Sequence, residues 1–132
     1  RKKPNFTNPE KQRRALAEVK ERATWSISTV DKALLRIRAE YIIPGRVEYW
    51  SEVMGLKPTG VRITSAAKRF GSCSARNSIC YSWRLMQYPP EAIDYVVVHE
   101  LSHIVHKNHS ADFYKTIAKY LPDYKNRENL LK

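Results

Sequence analysis

All four histidines of this 132-residue chain fall inside one short stretch, His99-Glu100-Leu101-Ser102-His103-Ile104-Val105-His106-Lys107-Asn108-His109. The stretch follows directly on the apolar run Tyr95-Val96-Val97-Val98, so imidazoles and a carboxylate are carried straight out of what reads as core. Buried polar groups without partners are costly. The segment must therefore sit where its side chains meet something that compensates them, and this requirement restricts the fold more than any other feature.

Within the stretch, His99-Glu100-x-x-His103 has the form H-E-x-x-H. Residues four apart on a helix lie one turn apart on the same face, so two imidazoles can converge on one ion at about 2.0–2.1 Å. Glu100, one position round, is placed to meet a water activated by that ion and to accept its proton as general base. The bland alternative is a polar patch on a half-buried helix, which leaves the burial uncompensated. A catalytic tetrahedral site needs a third protein ligand, and three residues compete for it. His109 reaches the ion if the helix ends near Lys107, with Asn108 as a left-handed turn residue. Glu128 could come from a later helix. His106 shares the face but sits about 10 Å along the axis from His99. His-rich tetrahedral sites favour Zn2+.

The rest of the chain reads as helices around a small sheet. Ala15, Leu16 and Val19 mark a first helix after Asn8-Pro9-Glu10, and Val30, Ala33, Leu34 and Ile37 mark a second from about Thr29. Pro44-Gly45 is expected to interrupt it. Val47, Trp50, Val53 and Met54 then predict another helix, capped by Gly55. Val61 and Ile63 alternate with Arg62 and Thr64 as a strand, and Ile79–Trp83 reads as the returning strand across the polar turn Ser74–Ser78. A two-residue turn at Arg76-Asn77 would set Cys73 opposite Cys80. Tyr88-Pro89-Pro90-Glu91 opens the helix that carries the histidines. Ser110 caps the next, with Phe113, Ile117 and Leu121 on one face, and Leu130 and Leu131 close the chain.

Lys and Arg total 24 against 13 Asp and Glu, a net charge of +11. The charge suits a solvated surface and is compatible with a nucleic-acid partner, but no basic block is interleaved with aromatics. No run approaches the roughly 18 apolar residues of a membrane helix, so no membrane association is expected. Two cysteines make no disulfide framework, and a cytoplasmic setting with two free thiols is the expectation.

The spacing of His99, His103 and His109 resembles that of the metzincins, with His106 where they carry Gly. The fuller resemblance is to the YgjP-like metallopeptidase domain, a zincin family related to the SprT-like and WLM proteases, over about Val61 to Leu131. It is carried by Lys68-Arg69-Phe70-Gly71-Ser72-Cys73-Ser74, Ser82-Trp83-Arg84-Leu85, Pro89-Pro90, Ile93 through His103, Asn108-His109-Ser110, Phe113 and Pro122-Asp123-Tyr124. The family usually has Trp in place of Phe70 and often Asn in place of Ser82. The resemblance implies His99, His103 and His109 as metal ligands, Glu100 as base, and a protein or peptide substrate. Family members usually carry a strand-rich N-terminal segment that is not legible here, which implies that the chain is the C-terminal part of a longer protein.

Around the site, Arg69, Tyr95 and Tyr114 are candidates to bind substrate or a developing oxyanion. Asp94 or Asp112 could orient a ligand histidine. Cys73 reads as a small buried hydrophobe. Zincins pair extended substrates with a strand edge, here Val61–Phe70 or the returning strand. The expected fold is α+β and zincin-like: N-terminal helices, a small antiparallel sheet, the H-E-x-x-H helix and closing C-terminal helices. It forms a single domain over residues 1–132, with a helical lead-in over 1–58 and the hairpin and metal-binding helices over 59–132. The expected activity is zinc-dependent peptide hydrolysis. The alternatives are a nucleic-acid-associated protease and a basic module built on a structural metal.

Overall fold

A computed structural model describes residues 28–132. The helix expected around Ala15, Leu16 and Val19 lies outside the described residues. The chain divides into two compact units, Arg1–Ala33 and Leu34–Lys132. In the first, the described part is Ser28 and the opening of a helix. There the Ser28 hydroxyl accepts from the Asp31 backbone N–H (3.1 Å) and donates to the Asp31 carboxylate (2.8 Å), an N-terminal cap.

Helix α1 runs Thr29–Met54 without a break, so Pro44-Gly45 does not interrupt it. The buried residues Ala39, Ile43, Val47, Trp50 and Met54 continue at helical spacing across the proline, and burial of that stripe outweighs one missing hydrogen bond. Pro44 and Gly45 face solvent, as does Glu40, whose carbonyl loses its intrahelical donor. Gly55 does end the helix, at φ 66°. Its N–H reaches the Glu52 carbonyl, and that of Leu56 reaches Ser51, the paired bonds of a Schellman motif.

Strands β1 (Gly60–Thr64), β2 (Gly71–Cys73) and β3 (Ser78–Ser82) form one sheet in the order β1-β3-β2. The β2–β3 pair is antiparallel, but β1 pairs with β3 in parallel, so the small sheet is mixed rather than wholly antiparallel. The turn holds three residues, Ala75-Arg76-Asn77, not two. Ser74 N–H bonds the Ser78 carbonyl, and Asn77 takes the left-handed conformation at φ 65°. One extra residue moves the register by one, so Cys73 faces Ile79 and Cys80 faces Ser72. Both cysteines are free, as expected.

Ser82 ends β3 and caps a short 3-10 helix, Trp83–Gln87, by accepting from Arg84 N–H. Helix α2 (Pro90–Ser102) follows, with proline in its first turn and Glu91 beside it. Its β-branched run suits burial: Ile93, Val96, Val97, Val98 and Leu101 are all in the core. Helix α2 packs against β2, α3 (Ala111–Tyr120) and α4 (Tyr124–Asn129). A two-pronged ion pair, Arg46 to Asp94 at 2.8 Å on both bonds, fastens α1 to α2. Asp94 is thereby committed away from the histidines. No described helix is long and apolar enough to cross a membrane.

Candidate metal centre

Helix α2 ends at Ser102, so His103 is its C-terminal cap, and the helix stops short of the end expected near Lys107. Three tight turns follow: the N–H groups of Ile104, Val105 and His106 reach back to Leu101 and Ser102. Asn108 is not left-handed, since Asn77 holds the one positive φ among the described non-glycine residues. The reversal needs no special residue, because the 3-10-like bonds satisfy the last carbonyls of the helix. Ser110 then caps α3 through Phe113 N–H, which leaves His109 just outside the new helix.

These turns bring His99, His103 and His109 together. One ligand atom from each lies within 4.8 Å of the other two. The ring centroids are 4.8 to 5.3 Å apart. The nitrogens around a tetrahedral ion with bonds of about 2.0–2.1 Å stand about 3.3 Å apart, so the cluster fits a metal after small side-chain shifts. His103 Nδ1 lies 2.9 Å from the His106 carbonyl. A proton donated there leaves Nε2 with a lone pair available to a cation. Burial lowers the His103 pKa below the ordinary histidine value, which favours the neutral, ligating form. His99 Nδ1 lies 3.2 Å from Glu100 Oε2.

His106 and Glu128 stand apart from this group. His106 contributes only its backbone carbonyl, and Glu128 accepts the Tyr95 hydroxyl at 2.8 Å. Glu100 is buried, with its side chain 8% exposed, and lies between helix α2 and strand β2.

The sequence model of the YgjP-like metallopeptidase domain matches residues 2–132. The chain belongs to the YgjP-like metallopeptidase family. The match takes in the residues before Val61 as well as the stretch from Val61 onward. Among curated proteins no match is found. Among solved structures, the chain is similar to the metallopeptidase zymogen abylysin of Pyrococcus abyssi, at 21% identity and a TM-score of 0.60, over 67% of this chain and 90% of that one. It is also similar to the zymogen jannalysin of Methanocaldococcus jannaschii, at 18% identity and a TM-score of 0.58, over 66% and 90%. At such identities the likeness speaks to the fold, which is the expected α+β, zincin-like one. Family membership makes the protein a metal-dependent peptidase.

The YgjP-like chain distributes its other candidates unevenly. Tyr95 sets its ring edge on His99, at a centroid distance of 5.7 Å, but its hydroxyl is taken by Glu128. Burial and that bond push the phenol far above its usual range. Tyr114 stacks between His109 and Tyr124, at 6.3 and 5.9 Å. Arg69 is exposed on the loop between β1 and β2. Asp112 is exposed in the first turn of α3, and the His106 carbonyl takes the orienting role on His103. The returning strand β3 is central, paired on both sides, so it offers no free edge to a substrate; β1 and β2 are the edges.

Two residues gain a role that the sequence did not reveal. Phe113, fully buried, touches all three imidazoles at centroid distances of 4.4 to 5.1 Å. Its place on the apolar face shared with Ile117 and Leu121 was the available signal. Lys107 reaches over the β2–β3 turn, bonding the Ser74 carbonyl at 3.1 Å and the Asn77 side chain, with Cys73 Sγ at 3.9 Å. It pins the loop between His103 and His109 to the sheet.

Proposed function

We propose that this domain is a zinc peptidase in which His99, His103 and His109 hold the ion and Glu100 is the general base. The observation that carries the reading is the convergence of the three imidazoles with a buried carboxylate on the adjacent residue. When bound, the ion would supply Lewis acidity and make a water molecule acidic enough to attack near neutral pH. Glu100, held between α2 and β2, takes the proton from that water and passes it to the departing amine. Among the described residues the group has three members, which supports a catalytic site with an open position over a closed structural one. Tyr114, beside His109, is the candidate donor to the developing oxyanion. The outer edge of β2, next to Glu100, is the candidate rail for an extended peptide. The whole of residues 1–132 is read as one catalytic domain.

Glu100→Gln tests the reading. It keeps shape and metal content but removes the base, so peptide cleavage should fall about 100-fold or more, with zinc still bound by elemental analysis. Wild-type cleavage by this variant overturns it. The charge of +11 is compatible with a nucleic-acid setting for the same chemistry. That setting predicts binding whose affinity falls steeply with salt, and no binding at low salt excludes it.

A further inference from the structure

Gly71 opens strand β2 where it passes Glu100. A Cβ at this position would lie 2.9 Å from Glu100 Cγ, 3.2 Å from its Cδ and 3.1 Å from the Cys80 carbonyl oxygen. The first of these is closer than side chains tolerate. Backbone conformation does not account for the glycine, because Gly55 is the described glycine with a positive φ. Nor does the sheet in general: a Cβ at Gly60, also in a strand, would meet only Ser78 Oγ at an ordinary 3.7 Å. What is special at residue 71 is the Glu100 side chain laid against the strand, beside a close Cys80 carbonyl oxygen.

We propose that Gly71 is a positioning residue for Glu100, its missing side chain leaving the slot in which the carboxylate is held. The proposal rests on the reading of Glu100 as base. Helix α2 fixes the start of the Glu100 side chain and β2 closes off the sheet side, so the carboxylate is confined between them. A methyl group at residue 71 closes the slot. The Cys80 carbonyl belongs to the paired strand and cannot withdraw, so the glutamate must turn away. Proton transfer needs a heavy-atom approach of about 2.6–3.2 Å, and a misplacement of about 1 Å costs on the order of 100-fold.

The test is Gly71→Ala, alone and combined with Glu100→Ala, in the zinc-loaded protein. Gly71→Ala should lower kcat about 100-fold while KM and zinc affinity stay within about threefold. It should lower Tm by about 5 °C in the Glu100 background, and by less than half as much when Glu100 is alanine. If Gly71→Ala does not fold but the double variant does, the steric coupling stands. Equal Tm losses in both backgrounds, failure of both to fold, or unchanged kcat would overturn the proposal. The base reading fails separately: an active Glu100→Gln would discard it and leave the coupling between residues 71 and 100 intact.

Discussion

The ring of Phe113 stacks on the imidazole of His103, with centroids 4.4 Å apart and planes inclined by 21°. The same phenyl meets His99 and His109 edge-on, at 5.0 and 5.1 Å. One apolar side chain thus forms the floor under three polar rings and limits the rotamers they can take. Phe113→Ala should cost about 3–5 kcal/mol of stability, read by denaturant unfolding of the metal-free protein. Phe113→Leu should keep most of that stability and still weaken zinc binding about 10-fold or more, read by competition with a chelator. Zinc affinity unchanged in the leucine variant would show that the floor does not order the rings.

Lys107 fastens the connection between His103 and His109 to the β2–β3 turn. Lys107→Met keeps the aliphatic stem and removes the bonds to Ser74 and Asn77. The expected result is a small stability change, about 1 kcal/mol or less, with zinc affinity lowered about 10-fold because His109 is no longer held. His109 stands outside both helices, so a loosened loop acts on it first. Equal zinc affinity in the two proteins would mean that the turns after α2 hold His109 without help.

Tyr81 is fully buried and donates to the Val97 carbonyl. Burial pushes its phenol well above the ordinary value of 10.0, and burial followed by the bond to Glu128 does the same for Tyr95. Both stay protonated in the fold but ionise near pH 10 once the chain unfolds. Their contribution to stability is therefore whole below about pH 10 and is lost as pH rises above it. A Tm that holds to about pH 9.5 and then drops, with the last tyrosinate absorbance arriving together with unfolding, is the expected outcome. Complete tyrosine titration in a still-folded protein would contradict it.

The helix that bears the histidines was legible because its signals are local: prolines in the first turn, an apolar run long enough to bury, and a four-residue ligand spacing. The cap at Gly55 and the start of α3 at Ser110 were legible for the same reason. Pro44 misled because its local penalty is smaller than the burial of Ala39, Ile43, Val47, Trp50 and Met54, which only packing expresses. The strand register was missed by one residue because Arg76-Asn77 suggests a two-residue turn, whereas the hydrogen bond from Ser74 to Ser78 encloses three residues.

The juxtaposition of His99, Glu100 and His103 was legible in the sequence alone, since a helical turn puts them on neighbouring faces whatever surrounds it. That His109, rather than Glu128 or His106, comes to lie beside His99 and His103 belongs to tertiary structure: it needed the tight turns after Ser102, while Glu128 is taken by Tyr95. The parallel pairing of β1, the apolar floor at Phe113 and the slot at Gly71 belong there too. Each depends on groups brought together from distant parts of the chain, and sequence spacing carries no record of which distant surfaces will meet.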